Sequence, residues 1–364
     1  MKKKRVIAIY LPQFHPFKEN DDWWGKGFTE WTNVTKAKPL FRGHYQPHLP
    51  SDLGYYDLRL SETREQQARM AEEHGIDGFC YYHYWFNGKR LMERPLKEVI
   101  ESGRPNFPFM LCWANENWTR AWDGGEKEIL IKQNYSIDDD KKHIQYLIKN
   151  VFSDPRYIRI NNKPVFAIYR SNLFPNMKQT IYIWREEAAK VNMELYLCRV
   201  ESFDQSGAKL LDAGFDAAID FQPLSNTMVK YIQSRPFVRI IHKINTYLFN
   251  RTNIRKINYK KYVEFMCEYP TPQYKQYPCV TPMWDNTSRR KKNIFMLVNS
   301  SPNNYGKWLS NVLCKFHPYS DEENLVFINA WNEWAEGNHL EPDIKWKNEY
   351  LSVTKKSIEE QNLL

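Results

Sequence analysis

Glycine and cysteine are scarce in this chain, and the features they usually mark are missing too. Fourteen glycines in 364 residues include no Gly-rich loop of the kind whose backbone amides cradle phosphate. No nucleophile-elbow sequence is present to support Ser-His-Asp chemistry. The six cysteines stand far apart, with no pair at metal-ligand spacing. Cys80, Cys112, Cys198 and Cys279 fall inside apolar runs, so reduced, buried thiols are expected, and with them the cytoplasm. No apolar run approaches the ~20 residues a membrane-spanning helix needs. The opening run, 6–11, is stopped by Pro12 and is too short for a signal-peptide core.

Acid is absent from one long stretch. Between Phe221 and Val263 there is no Asp or Glu but there are nine Lys or Arg, which equals the whole formal surplus of +9. Phe237, Ile240, Ile241, Ile244 and Leu248 share one helical face there, beside Arg239, His242 and Lys243. A basic amphipathic helix of this kind suits an anionic membrane surface or a solvated lid packed on the barrel. No recognition motif accompanies the charge, so nucleic acid is not an expected partner.

Aromatic rings are what the chain has in plenty: 15% of residues, with 13 Trp and 23 Tyr. Eight short apolar runs, at 6–11, 78–84, 109–114, 165–169, 195–200, 217–221, 279–283 and 326–330, have the near-continuous character of parallel strands buried on both faces. Helical patterns at 60–74, 138–150, 177–191, 205–213, 259–267, 305–316 and 348–360 separate most of them. Such alternation predicts an α/β fold, a single (β/α)8 barrel spanning 1–364. The loops after strands one (12–59), three (115–137) and six (222–258) are long. They belong to the barrel face that carries active sites. The basic stretch at 222–258 reads as an insertion forming a lid or a membrane-facing segment. Asp138-Asp-Asp140 resembles a metal-holding acidic motif, but opens a helix and reads as an N-terminal turn.

The segment leaving strand eight, Asn329 to Asp343, carries Glu333 and Glu336 three apart between Trp331 and Trp334. Carboxylates set beside rings have their pKa values driven apart, so one serves as acid and the other as base. Making or breaking a glycosidic bond commonly uses such a pair. The other strand ends pool the same residue types. His15, Trp31, Tyr82, His83, Trp85, Asn115, Glu116, Trp118, Gln222, Trp284, Asn332 and Trp334 are therefore the expected sugar-binding set, rings stacking on sugar faces and amides or acids meeting hydroxyls. Glu116, in an Asn-Glu pair at a strand end, is a rival proton donor. No metal or cofactor is expected.

Ile7-Ala-Ile-Tyr-Leu-Pro-Gln-Phe-His15, Trp23-Trp-Gly, Gly27-Phe-Thr-Glu-Trp-Thr-Asn33, His44-Tyr-Gln-Pro47, Gly78-Phe-Cys-Tyr-Tyr-His-Tyr-Trp85, Trp113-Ala-Asn-Glu-Asn-Trp118 and Trp331-Asn-Glu-Trp-Ala-Glu-Gly337 resemble the WbsX-type glycosyltransferases of bacterial polysaccharide gene clusters. That family is similar in turn to glycoside hydrolase family 99, the endo-α-mannosidases. The resemblance implies a metal-independent retaining barrel enzyme in which a base takes the proton of the sugar's own 2-hydroxyl, giving a 1,2-anhydro intermediate. On this chain Glu333 becomes that base and Glu336 the acid/base. It also implies glycosyl transfer in O-antigen, lipopolysaccharide or capsule assembly, on an oligosaccharide or polysaccharide substrate or a lipid-linked sugar, in the cytoplasm or at the inner membrane. The alternatives are a retaining endo-glycosidase and a glycan-binding barrel without catalysis. A nucleotide-sugar enzyme normally has two doubly wound domains, and neither is legible here.

Overall fold

The strands pair in parallel, in the order of the apolar runs. The computed structural model describes residues 3–120, 125–202, 206–235, 240, 254–291 and 294–362. Eight strand positions stand side by side: β1 (Arg5–Tyr10), β2 (Gly78–Phe86), β3 (Phe109–Trp113), β4 (Lys163–Ile168), β5 (Tyr196–Glu201), β6 (Ala217–Asp220), β7 (Gln276–Tyr277 and Cys279–Val280) and β8 (Leu325–Ile328). β1 lies between β2 and β8, with Val6 opposite Val326 and Ile7 opposite Gly78. The ring closes because the two pieces of β7 pair with β6 and β8 respectively. This is the expected (β/α)8 barrel. β3, β5 and β8 are buried along their whole length, as strands covered on both faces must be.

β7 departs from expectation. Its pairing falls at 276–280, not 279–283, and is divided at Pro278, which has no N–H to give to a ladder. The Pro278 carbonyl still accepts from Phe327 N–H at 2.8 Å. Two helical expectations are also corrected. The 205–213 pattern is a 3-10 turn, Ala208–Ala213. The crossover from β2 to β3 carries a helix the reading missed, Arg94–Ser102, with Pro95 in its first turn and Gly103 left-handed at its end (φ 71°), the usual asymmetry of helix ends.

The remaining barrel helices are fixed by local chemistry. Ser136, Asn176, Asn258 and Ser301 cap the helices Ile137–Asn150, Met177–Ala189, Tyr259–Glu268 and Pro302–Lys315 by accepting a backbone N–H from the first turn, each contact typically contributing about 1 kcal/mol. Asp138–Asp140 occupies the first turn of its helix, where the dipole favours acid. Asp139 accepts from Trp85 Nε1 at 3.0 Å and Asp140 from Thr180 Oγ1 at 2.8 Å.

Much of the aromatic surplus is core. Trp113, Trp184, Trp284, Trp308, Trp331 and Trp334 are all essentially buried, and truncating such a ring to Ala typically costs about 3–5 kcal/mol. Cys80, Cys112, Cys198 and Cys279 are buried free thiols, as expected; Cys267 is half-buried and Cys314 exposed. Of the basic amphipathic face, Phe237, Arg239, Ile241, His242, Lys243, Ile244 and Leu248 lie outside the described residues, and Ile240 is exposed. Among the described residues no helix is long and apolar enough to cross a membrane.

Candidate active site

A cleft opens at the C-terminal ends of the strands, enclosing about 850 Å³ with its open mouth included. Tyr82, Tyr84, Trp118, Tyr169, Phe221 and Trp284 supply its rings; Gln13, Glu116, Asn117, Arg289, Glu333 and Glu336 supply its polar groups. Side chains alternate across a strand, and this decides what β2 contributes. Tyr82 and Tyr84 face the cleft. His83 and Trp85 face the helix Ile137–Asn150, where His83 Nε2 meets His143 Nε2 at 2.9 Å and Trp85 stacks on His143 at 4.6 Å.

Arg289, nine residues past Val280 at the end of β7, is the hub. Its Nη1 donates to Glu336 Oε1 at 2.8 Å, and its Nη2 donates to both Glu30 Oε1 at 3.0 Å and Glu333 Oε2 at 3.2 Å. Two loops thus bring three carboxylates to a guanidinium carried by a third: the loop after β1 brings Glu30, and that after β8 brings Glu333 and Glu336. Planar guanidinium donors suit this sharing. Burial, then repulsion from Glu336, push the Glu333 carboxyl well above the usual carboxylate range, with Arg289 pulling against them. Burial also raises Glu30, again opposed by Arg289. Burial alone lowers Arg289, but Glu30, Glu336 and Glu333 together hold it above its ordinary value. Also in the cleft lining, Glu116 is tied to Arg170 Nη1 at 2.6 Å.

The turn that carries the two glutamates is shaped by Gly337. It sits at φ 53°, and a Cβ there would meet Asp285 Cβ and carbonyl oxygen, each at 2.9 Å. This close approach lets Asp285 N–H donate to the Glu336 carbonyl at 2.6 Å. Asp285 is itself fixed by His44 Nε2 at 2.5 Å, and with Thr287 this hydrogen bonding holds its carboxyl below the usual range against burial. Behind the turn, Glu341 accepts from Gln67 Nε2 (2.7 Å), Tyr56 hydroxyl (2.9 Å) and Trp334 Nε1 (2.6 Å), while burial pushes it up to about 7.

Of the residues expected from sequence, Tyr82, Glu116, Trp118, Trp284, Glu333 and Glu336 line the cleft. His15, Trp31, His83, Trp85, Asn115, Gln222, Asn332 and Trp334 are buried outside its lining. Asn332 clamps Leu11, accepting its N–H at 2.7 Å and donating to its carbonyl at 3.0 Å. Asn115 donates to Tyr135 and to the Arg170 carbonyl. Gln222 accepts from Tyr262 and donates to Asp220. Trp31 donates to the Tyr56 carbonyl, Trp334 stacks on His339 at 3.7 Å, and burial lowers His15 to about 4. Glu30 and Arg289 were missed. Glu30 lies inside the Gly27–Asn33 motif, and Arg289 stands nine residues past the end of β7, but neither position says that the two meet.

His48, His339 and Asp343 form the one group among the described residues whose ligand atoms lie close enough (within 4.8 Å) to hold a metal ion. His44 and His48 do form a His-x-x-x-His pair in the sequence, but only His48 belongs to this group. Here His48 Nδ1 meets His339 Nε2 at 3.0 Å, and His339 Nδ1 donates to the Glu341 carbonyl at 2.9 Å. The group lies behind Trp334 and outside the cleft lining.

The glycosyltransferase WbsX family model matches residues 6–354. The chain belongs to the WbsX glycosyltransferase family. Its relatives include the uncharacterized protein WxcX of Xanthomonas campestris pv. campestris, 39% identical over 355 residues, covering 97% of this chain and 49% of that protein. The chain therefore spans about half the length of the curated relatives it matches. The endo-α-mannosidase of glycoside hydrolase family 99 from Bacteroides thetaiotaomicron superposes with a TM-score of 0.61 at 14% identity, covering 100% of this chain and 99% of that one. A glycoside hydrolase-like protein superposes at 0.58 with 13% identity, covering 98% and 94%. At such identities the likeness is one of fold, and it places this WbsX member on the barrel of a glycosidase.

Proposed function

We propose that this WbsX-family barrel makes or breaks a glycosidic bond with retention, most naturally by glycosyl transfer during assembly of a bacterial surface polysaccharide, with Glu333 and Glu336 performing the chemistry. The observation that carries this reading is two carboxylates of one turn held on one guanidinium in an aromatic-lined cleft. Rings such as Trp118 and Tyr169 stack on sugar faces, and Arg289 orients both acids. In the first step Glu333 takes the 2-hydroxyl proton, O2 attacks C1, and the C1–oxygen bond to the leaving group breaks as Glu336 protonates that oxygen. In the second, Glu336 takes the proton of an acceptor hydroxyl, which attacks C1 from the vacated side and opens the anhydro ring while Glu333 returns the proton to O2. Water in place of the acceptor gives hydrolysis, the endo-mannosidase-like alternative. The donor is proposed to be a lipid-linked or oligomeric sugar on the cytoplasmic face of the membrane.

One feature favours exchanging the two roles: Glu333 is buried, and burial pushes its carboxyl well above the usual range, toward keeping a proton, which suits an acid. Leaving-group dependence separates the assignments. A variant lacking the acid keeps activity on substrates whose leaving group needs no proton, such as glycosyl fluorides, and a variant lacking the base does not. Mass spectrometry of the protein with α-linked bacterial oligosaccharides, with and without lipid-pyrophosphate acceptors, tests the overall reading. Mass gain on an acceptor supports transfer, sugar release to water supports the hydrolase, and binding without turnover of any glycan overturns both.

A further inference from the structure

Glu30 is fully buried and does not line the cleft, so it cannot touch a substrate, yet it shares Arg289 Nη2 with Glu333. We propose that Glu30 is a positioning residue for the reaction proposed above: through Arg289 it governs how tightly the guanidinium holds Glu333 and Glu336, and so which carboxyl keeps the proton that the cluster shares.

The argument starts from charge. Glu333, Glu336 and Arg289 alone sum to −1 when ionised, and Glu30 takes the group to −2 in a site with little water, where repulsion between like charges is weakly screened. A mechanical link between the helix Glu30–Lys36 and the glutamate turn does not need that charge. The link already exists in the Trp31–Trp334 ring contact at 5.3 Å, and a neutral amide could accept the Ala335 N–H that Glu30 Oε1 accepts at 3.2 Å. The second oxygen of Glu30 is buried and accepts no hydrogen bond among the described residues. What the third acid adds is competition for one cation.

The other titratable groups facing the cluster do not supply that competition. Tyr82 faces Glu333, Tyr169 faces Glu336, and Tyr84 faces Glu333, Arg289 and Glu30. Burial pushes all three phenols well above their ordinary value, so they stay neutral. Glu116 is committed to Arg170, with Arg290 also near it. Interacting carboxyls titrate as a group, so the effect of Glu30 is read on the group. Replacing it by an amide removes a negative charge a few ångströms from Glu333, which lowers the cluster's proton affinity by about one to two pH units.

The test uses the 364-residue chain carrying carboxyl-13C glutamate, titrated by NMR as wild type, Glu30→Gln and Glu30→Asp. Loss of a resonance in Glu333→Gln and in Glu336→Gln assigns the two signals. The expected result is a Glu333 signal titrating well above ~4.3 in wild type, shifted down by about one to two pH units in Glu30→Gln and raised again in Glu30→Asp, which keeps the charge. An unmoved titration in folded Glu30→Gln, the result for a purely structural Glu30 or one that is itself the protonated member, overturns the proposal. Should Glu30→Gln fail to fold, Glu30→Asp decides, since a Glu333 signal at the ordinary carboxylate value there overturns it equally. This readout needs no turnover, so it stands apart from failure of the glycosyl-transfer reading. Once a substrate is found, both limbs of the pH–rate profile of Glu30→Gln move to lower pH together.

Discussion

Replacing Arg289 with Met keeps an unbranched side chain of similar reach and removes the one positive partner that Glu30 and Glu333 share among the described residues. Arg289 is 13% exposed, Glu30 and Glu333 no more than 6%, so water cannot replace the lost charge. Removing one partner of a buried ion pair costs about 3–5 kcal/mol. The loss depends on pH, and its sign follows from the raised carboxyls. A group whose pKa is higher folded than unfolded contributes stability below its unfolded value, and loses it as pH rises through the folded value. Glu333 and Glu30 are both raised, and without Arg289 they rise further, because the interaction that pulled them down is gone. At pH 5 the acids are closer to neutral in the variant, and the loss is smaller. At pH 8 it reaches about 3–5 kcal/mol, because the stranded acids must then carry unpaired charge or hold protons against the solvent. Urea unfolding of wild type and Arg289→Met at both pH values measures this. An equal loss at pH 5 and pH 8, or none at pH 8, refutes the description of the cluster as two buried acids and a half-buried one on one cation.

Two further substitutions probe the frame around the cleft. Gly337→Ala places a methyl 2.9 Å from the Asp285 backbone at a left-handed φ; with about 1–2 kcal/mol for the conformation and about 1–3 for overpacking, a thermal melt drops by roughly 3–7 °C. An unchanged melt contradicts the close packing of Asp285 on the Glu336 turn. Asn332→Ala leaves the buried Leu11 N–H and carbonyl unpaired, a loss of about 2–3 kcal/mol, while glycan affinity measured well below the melt is unchanged. Weakened sugar binding at unaltered stability would return Asn332 to the substrate.

The barrel was legible in the sequence because strands buried on both faces must be apolar throughout, so β1 to β6 and β8 stand out as continuous runs. β7 was blurred by Pro278, which breaks the ladder inside the run, and the helix Arg94–Ser102 was hidden by its shortness. The glutamate pair was legible since two acids beside two tryptophans are too polar for core. Strand ends alone could not say which of their neighbours faced the cleft. In Tyr82-His-Tyr-Trp85 the residue types are equally suited to sugar, and only the period of two sends His83 and Trp85 to His143 instead. Likewise Asn332 and Asn115 have the chemistry of sugar ligands but spend it on backbone groups. Glu30 and Arg289 were out of reach because their meaning is a meeting of loops more than 250 residues apart, which no local pattern encodes.

The most direct test of the central claim is the turnover and binding of one glycan by wild type, Glu333→Gln and Glu336→Gln side by side. The account predicts that both variants bind with an affinity close to wild type and that each loses turnover by at least about a hundredfold, the scale of a positioned acid or base. Full turnover by either variant, with binding intact, would contradict it.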